Sequence, residues 1–170
     1  MGSDFEVFEF DPRKLPADIL QAVGLVIAAS EQADETLNLC IESLLGISLP
    51  LRHAVTAQIG QPNRISILRS IAKETVAPPL LQNLEAAIDS VEKTAELRNK
   101  VAHRAMFIDR ETGGVFAWKV TARRGVKSEV EPITAAAIRA TADTILAAGD
   151  ALMEALISVE HDHLEGGHIG

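Results

Sequence analysis

The chain has 170 residues, of which 47% are apolar and 4% aromatic, and its formal net charge is −8. This is enough apolar material for one domain with a single substantial core, and it excludes a disordered polymer. No stretch approaches the ~18–20 uninterrupted apolar residues of a membrane span. With one cysteine, Cys40, an intramolecular disulfide and a cysteine-built zinc site are excluded. There is one Trp and no Tyr, so the core must rest on Leu, Ile, Val and Ala, which favours helix packing. The acidic N-terminus, MGSDFEVFEFDPRK, lacks the basic-then-apolar order of a secretory signal, and the expected location is the cytoplasm.

Residues 1–14 read as an extended N-terminal arm, with Phe5, Val7, Phe8 and Phe10 available to dock and Pro12 opposing an early helix. A first long helix is expected from Pro16. Its apolar and small residues recur at Ile19, Val23, Val26, Ser30, Ala33, Leu37, Ile41 and Leu44, and Gly46 is its natural stop. This stripe takes in Cys40 as a core residue. Leu51–Ile59 suggests a short helix, and Asn63 can cap another running to about Val76. Pro78 and Pro79 open the next, whose stripe of Leu81, Leu84, Ile88, Val91 and Ala95 continues into Arg98 and Ala102. The stripe therefore turns polar at Arg98, and a polar residue in line with a buried stripe needs partners or an interface.

A β-hairpin is expected at about 115–131. Phe116, Trp118 and Val120 alternate with polar or small residues, as do Val126, Ser128 and Val130, with Arg123 and Arg124 at the turn. Trp118 in this alternation reads as core. A last helix starts near Thr134 with Ile138, Ala142, Ile145, Gly149, Leu152 and Leu156 on one face, and residues 161–170 read as a flexible tail. The fold expected is all-α: an up-and-down bundle of four to five helices over residues 15–160 with the hairpin inserted before the last helix.

Charge is unevenly placed. From Arg98 to Lys127 there are eight basic residues and two acidic ones, while the rest of the chain carries eight basic and 22 acidic. Such segregation points to an anionic partner at the basic segment. The segment opens with Arg98-Asn99-Lys100-Val101-Ala102-His103. Asn99 and His103 are four apart and share a helix face. An arginine forks bidentately onto phosphate, and a histidine moves protons near neutral pH, so the set suits phosphodiester cleavage without a metal. Lys100, Arg104, Arg123 and Arg124 would grip an RNA backbone. His161, Asp162, His163, Glu165 and His168 make a tail rich in potential metal ligands, of the kind that collects adventitious ions, and no cofactor is called for.

Arg98-Asn99-Lys100-Val101-Ala102-His103 resembles the Arg-x4-His signature of the HEPN superfamily, whose usual form has a polar residue directly after the arginine, here Asn99. The order of long helices, then the motif, then a terminal helix is also similar, over about Pro16–Ile157. The resemblance implies a helical bundle that dimerises across the motif helices. It further implies either a metal-independent endoribonuclease of toxin or defence type or a non-catalytic protein- or nucleotide-binding interaction module. For an endoribonuclease, Arg98 and His103 are catalytic, Asn99 orients them, RNA is the substrate, and a cognate antitoxin protein is an expected partner. Ala105 stands where some toxin members of the family carry a tyrosine.

Overall fold

A computed structural model describes residues 7–121 and 127–166. Within them are five α-helices: α1 (Ala17–Leu45), α2 (Leu49–Thr56), α3 (Gln61–Thr75), α4 (Pro78–Ala102) and α5 (Ala135–Gly166). Four strands, β1 (Phe8–Glu9), β2 (Ala105–Asp109), β3 (Val115–Thr121) and β4 (Lys127–Pro132), form one antiparallel sheet in the order β1-β2-β3-β4. The chain is thus mostly helical, as its composition requires, but the β-structure exceeds the expected hairpin. The arm supplies a strand, and the residues following the motif supply another. The tail also differs from expectation, because α5 continues through His161 and His163 to Gly166.

The chain divides into two compact units, Met1–Ala28 with Glu96–Ala142, and Ala29–Ala95 with Asp143–Gly170. The second unit is built by the helical stripes. Leu37, Cys40 and Ile41 of α1 join Ile65 and Leu68 of α3, Leu84, Ile88 and Val91 of α4, and Leu152, Leu156 and Val159 of α5 in one buried cluster. Burying each such side chain contributes about 1.5–3 kcal/mol relative to exposure. A Cβ added at Gly149 would lie 3.4 Å from Ala33 Cα, so α1 and α5 approach closely at that point. Helix α1 ends where the sequence says it should. Gly46 has φ +60, its N–H bonds Ser43 O at 3.1 Å, and Ile47 N–H bonds Glu42 O at 3.2 Å, the paired pattern of a glycine stop.

This unit also holds ion pairs that periodicity does not reveal. The Arg52 side chain is 4% exposed and reaches Glu35 at 2.8 Å and Glu42 at 3.1 Å. Arg64 binds Asp34 at 2.7 Å and Asn38 at 2.9 Å, and Gln61 donates to Asp34 at 2.6 Å. Glu35 and Glu42 are therefore both engaged by Arg52. The acidic face of α1 thus anchors α2 and α3.

In the first unit the sheet has two distinct faces. The register sets Phe107 opposite Phe116 and Ala105 opposite Trp118, so these side chains share one face with Phe8, Ser128 and Val130. The alternate face buries Val115 and Ala117. Trp118 therefore lies half-exposed among rings and not in the core as its alternation suggested. Its indole N–H donates to Ser128 Oγ at 2.5 Å. Phe107 is 3% exposed because rings cover it: Phe8 at 4.9 Å, Phe10 at 5.2 Å and Phe116 at 5.8 Å between centroids. The arm is held by Arg110 N–H to Val7 O at 2.9 Å and by Glu9, which pairs with Lys14 at 2.7 Å and Arg110 at 3.1 Å.

Candidate nucleic-acid interface

Helix α4 carries the motif at its C-terminal end. Leu84, Ile88 and Val91 are fully buried, Ala95, Arg98 and Ala102 are half-buried, and the helix stops after Ala102. The change from apolar to polar in the stripe thus coincides with the end of the buried seam. Arg98 Nη1 donates to Asn99 Oδ1 at 3.2 Å, so the amide holds the guanidinium through a neutral acceptor and leaves its charge uncompensated by that contact. Asn99 and His103 are exposed. His103 stands in the bend directly after the helix, and its N–H still bonds Asn99 O at 3.1 Å, closing a last helical turn. The asparagine therefore contacts both neighbours, Arg98 through its side chain and His103 through its backbone carbonyl.

The basic segment is less open than its composition suggests. Arg104 has a side chain 12% exposed and pairs with Glu131 of β4. Arg110 pairs with Glu9, and Lys119 approaches Glu129 at 4.0 Å across the β3–β4 pair. Three of the segment's cations are thus matched by carboxylates from outside it. Lys100 is exposed and has no carboxylate partner among the described residues. Lys100 and Arg104 line a cavity of about 180 Å³ together with Val101, Glu131, Ile138 and Thr141. Arg123 and Arg124 lie outside the described residues.

The strand that follows the motif was not foreseen. Asp109 ends it by organising the turn into β3. Its Oδ1 accepts from Glu111 N–H at 2.9 Å and Thr112 N–H at 3.4 Å, which holds its carboxyl below the usual carboxylate range. Gly113 takes φ +69 there, a conformation glycine accepts without strain. A five-residue strand starting three residues after a helix has no periodic signature of its own. The Asp109–Gly113 turn was the signal that could have located its end.

Among the described residues no cluster of three or more His, Cys, Asp or Glu is arranged to hold a metal ion, and no helix is long and apolar enough to cross a membrane. His161 and His163 lie on α5, and His168 is outside the described residues. Compared with protein-family models, curated proteins and solved structures, the chain matches none.

Proposed function

We propose that this chain is a HEPN-type helical-bundle protein that binds RNA and cleaves it without a metal, acting in the cytoplasm as a homodimer through the motif helix. The observation that carries the reading is the construction at the end of α4. Arg98 is held through the neutral Asn99 amide at 3.2 Å, while His103 is exposed one turn on. Arginine and histidine in that setting serve phosphate binding and proton transfer.

The reaction is a transesterification. His103 takes the proton of an RNA 2′-hydroxyl, the 2′-oxygen bonds to phosphorus, and the phosphorus–5′-oxygen bond breaks. The leaving 5′-oxygen receives a proton from the partner subunit's His103, giving a 2′,3′-cyclic phosphate and a 5′-hydroxyl. Arg98 stabilises the charge that builds on the phosphorus oxygens, a contribution of the kind worth about 10²–10³ in rate. Lys100 steers the backbone, and Arg104 does so when it exchanges Glu131 for phosphate. A cognate antitoxin protein would cover the same surface. Wild-type protein in EDTA should degrade RNA, and His103→Ala should remove that activity with an unchanged circular dichroism spectrum. Equal activity in both proteins would refute the assignment.

A second reading has its own support. The Arg104–Glu131 pair closes one side of the cavity beside Lys100, an arrangement suited to a non-catalytic interaction module. That reading expects a bound partner and no RNA turnover.

A further inference from the structure

The open face of the sheet gathers five of the chain's six aromatic side chains, and four of their rings build a pocket. Phe8, Phe10, Phe107 and Trp118 line it with Ser128 and Val130, around a volume of about 160 Å³. An apolar cavity of about 150 Å³ is known to hold one benzene ring. This pocket therefore suits a single flat ring. Trp118 and Phe10 are neighbouring walls of it, 6.4 Å apart between centroids and inclined at 48° to each other. The Trp118 indole N–H is bonded to Ser128 Oγ at 2.5 Å, and Phe107 is packed beneath the arm's rings. Walls held by such contacts need little rearrangement to receive a ring, which lowers the entropy cost of binding.

The pocket's place in the chain selects the occupant. Trp118 pairs in register with Ala105, which is two residues after His103. Two residues of chain span at most about 7 Å, which bounds how far the histidine lies from the strand position paired with Trp118. A ring-sized aromatic pocket next to a phosphate-handling arginine and histidine matches the repeat of a single-stranded nucleic acid, base beside phosphate. Stacking on aromatic side chains is how proteins hold unpaired bases.

We infer that the Phe8–Phe10–Phe107–Trp118 pocket seats one unpaired nucleobase of an RNA whose adjoining phosphate lies at Arg98 and His103. The inference rests on the RNA reading above and adds to it that the substrate is single-stranded at the cut. A duplex cannot supply a free base to this face.

Trp118 is the only Trp in a chain without Tyr, so intrinsic fluorescence reports this pocket alone. The test titrates full-length protein with a 2′-O-methyl RNA oligomer, which cannot react, and with an abasic oligomer of equal length and charge. The base-bearing oligomer should quench Trp118 saturably and bind about 5- to 150-fold more tightly, the affinity equivalent of one stacked base. The abasic oligomer should bind without quenching. Phe10→Ala should remove the difference between the two. Val130→Phe, which fills the pocket from an exposed position on β4 and leaves the arm intact, should do the same if Phe10→Ala disturbs folding. Equal binding of both oligomers with no change in fluorescence overturns the pocket and leaves the RNA reading standing. Failure of both to bind overturns both. Quenching by N-acetylphenylalanine amide at the concentrations at which a nucleoside acts would mark a site for a protein side chain, and would also overturn the inference.

Discussion

Replacing Arg52 with Met tests how the second unit is held together. The Arg52 side chain is 4% exposed, yet its Nη1 has no hydrogen-bond partner, and its Nε approaches Glu42 Oε2 at 3.1 Å without hydrogen-bond alignment. Its partners are wetter: the Glu35 side chain is 49% exposed and that of Glu42 25%. Breaking a fully buried pair costs about 3–5 kcal/mol because a charge is left uncompensated. Here Glu35 can be rehydrated, and Met removes two poorly bonded buried nitrogens while keeping the apolar packing. What remains is Glu42 Oε2, a buried oxygen left without its cation, at a cost of about 1–3 kcal/mol. For a chain of this size that is a fall in Tm of about 2–12 °C. Urea titration of Arg52→Met, Glu42→Gln and the double variant gives the coupling directly. The double variant should recover most of the loss and lie within about 1 kcal/mol of wild type. A double variant as unstable as the sum of the singles, or a loss above about 5 kcal/mol for Arg52→Met, would refute the reasoning.

Two further outcomes follow from ionisation. Burial pushes the Cys40 thiol up to about 12, so native protein at pH 8 should resist iodoacetamide and react in urea. Because the folded thiol ionises at higher pH than the unfolded one, its linked stabilisation is whole below about pH 9 and is lost as pH rises from 9 towards 12. Glu9 has the opposite sign. Hydrogen bonds from Lys14, the Asp11 backbone and Arg110 hold its carboxyl below the usual range, so arm docking is present above that range and weakens as pH falls through it. Since Phe10 of the arm packs on Trp118, acid should shift Trp118 emission to the red, and Glu9→Gln should show the shift already at neutral pH. An unchanged spectrum in the variant would contradict this account of the arm.

The long helices were legible because a buried stripe at helical spacing is a strong signal. The expected inward residues of α5, from Ile138 through Leu156, are all buried, and Gly46 stops α1 as read. The sheet was only half legible. β1 is two residues long and β2 five, too short for alternation to register, and Trp118 belongs to a ring-covered face that alternation alone cannot tell from a core face. Arg52 and Arg64 gave no signal, because an arginine in the first turns of a helix reads as surface until its carboxylate partners, Glu35 and Glu42 for the one and Asp34 for the other, are seen facing it. At the candidate site the positions of Arg98, Asn99 and His103 near the end of α4 were readable from the stripe. The matching of Arg104 by Glu131 was not, since it depends on β4 lying beside the end of that helix.

The central claim is that Arg98 and His103 cleave RNA through its own 2′-hydroxyl. The most direct measurement compares, in EDTA, a single-stranded RNA with the same RNA carrying one 2′-deoxy residue at the cut position. The account predicts that the first is cut to a 2′,3′-cyclic phosphate and a 5′-hydroxyl, and that the second survives at that position. Cleavage of the deoxy-substituted strand there, or the absence of any cleavage until a divalent metal is added, would contradict it.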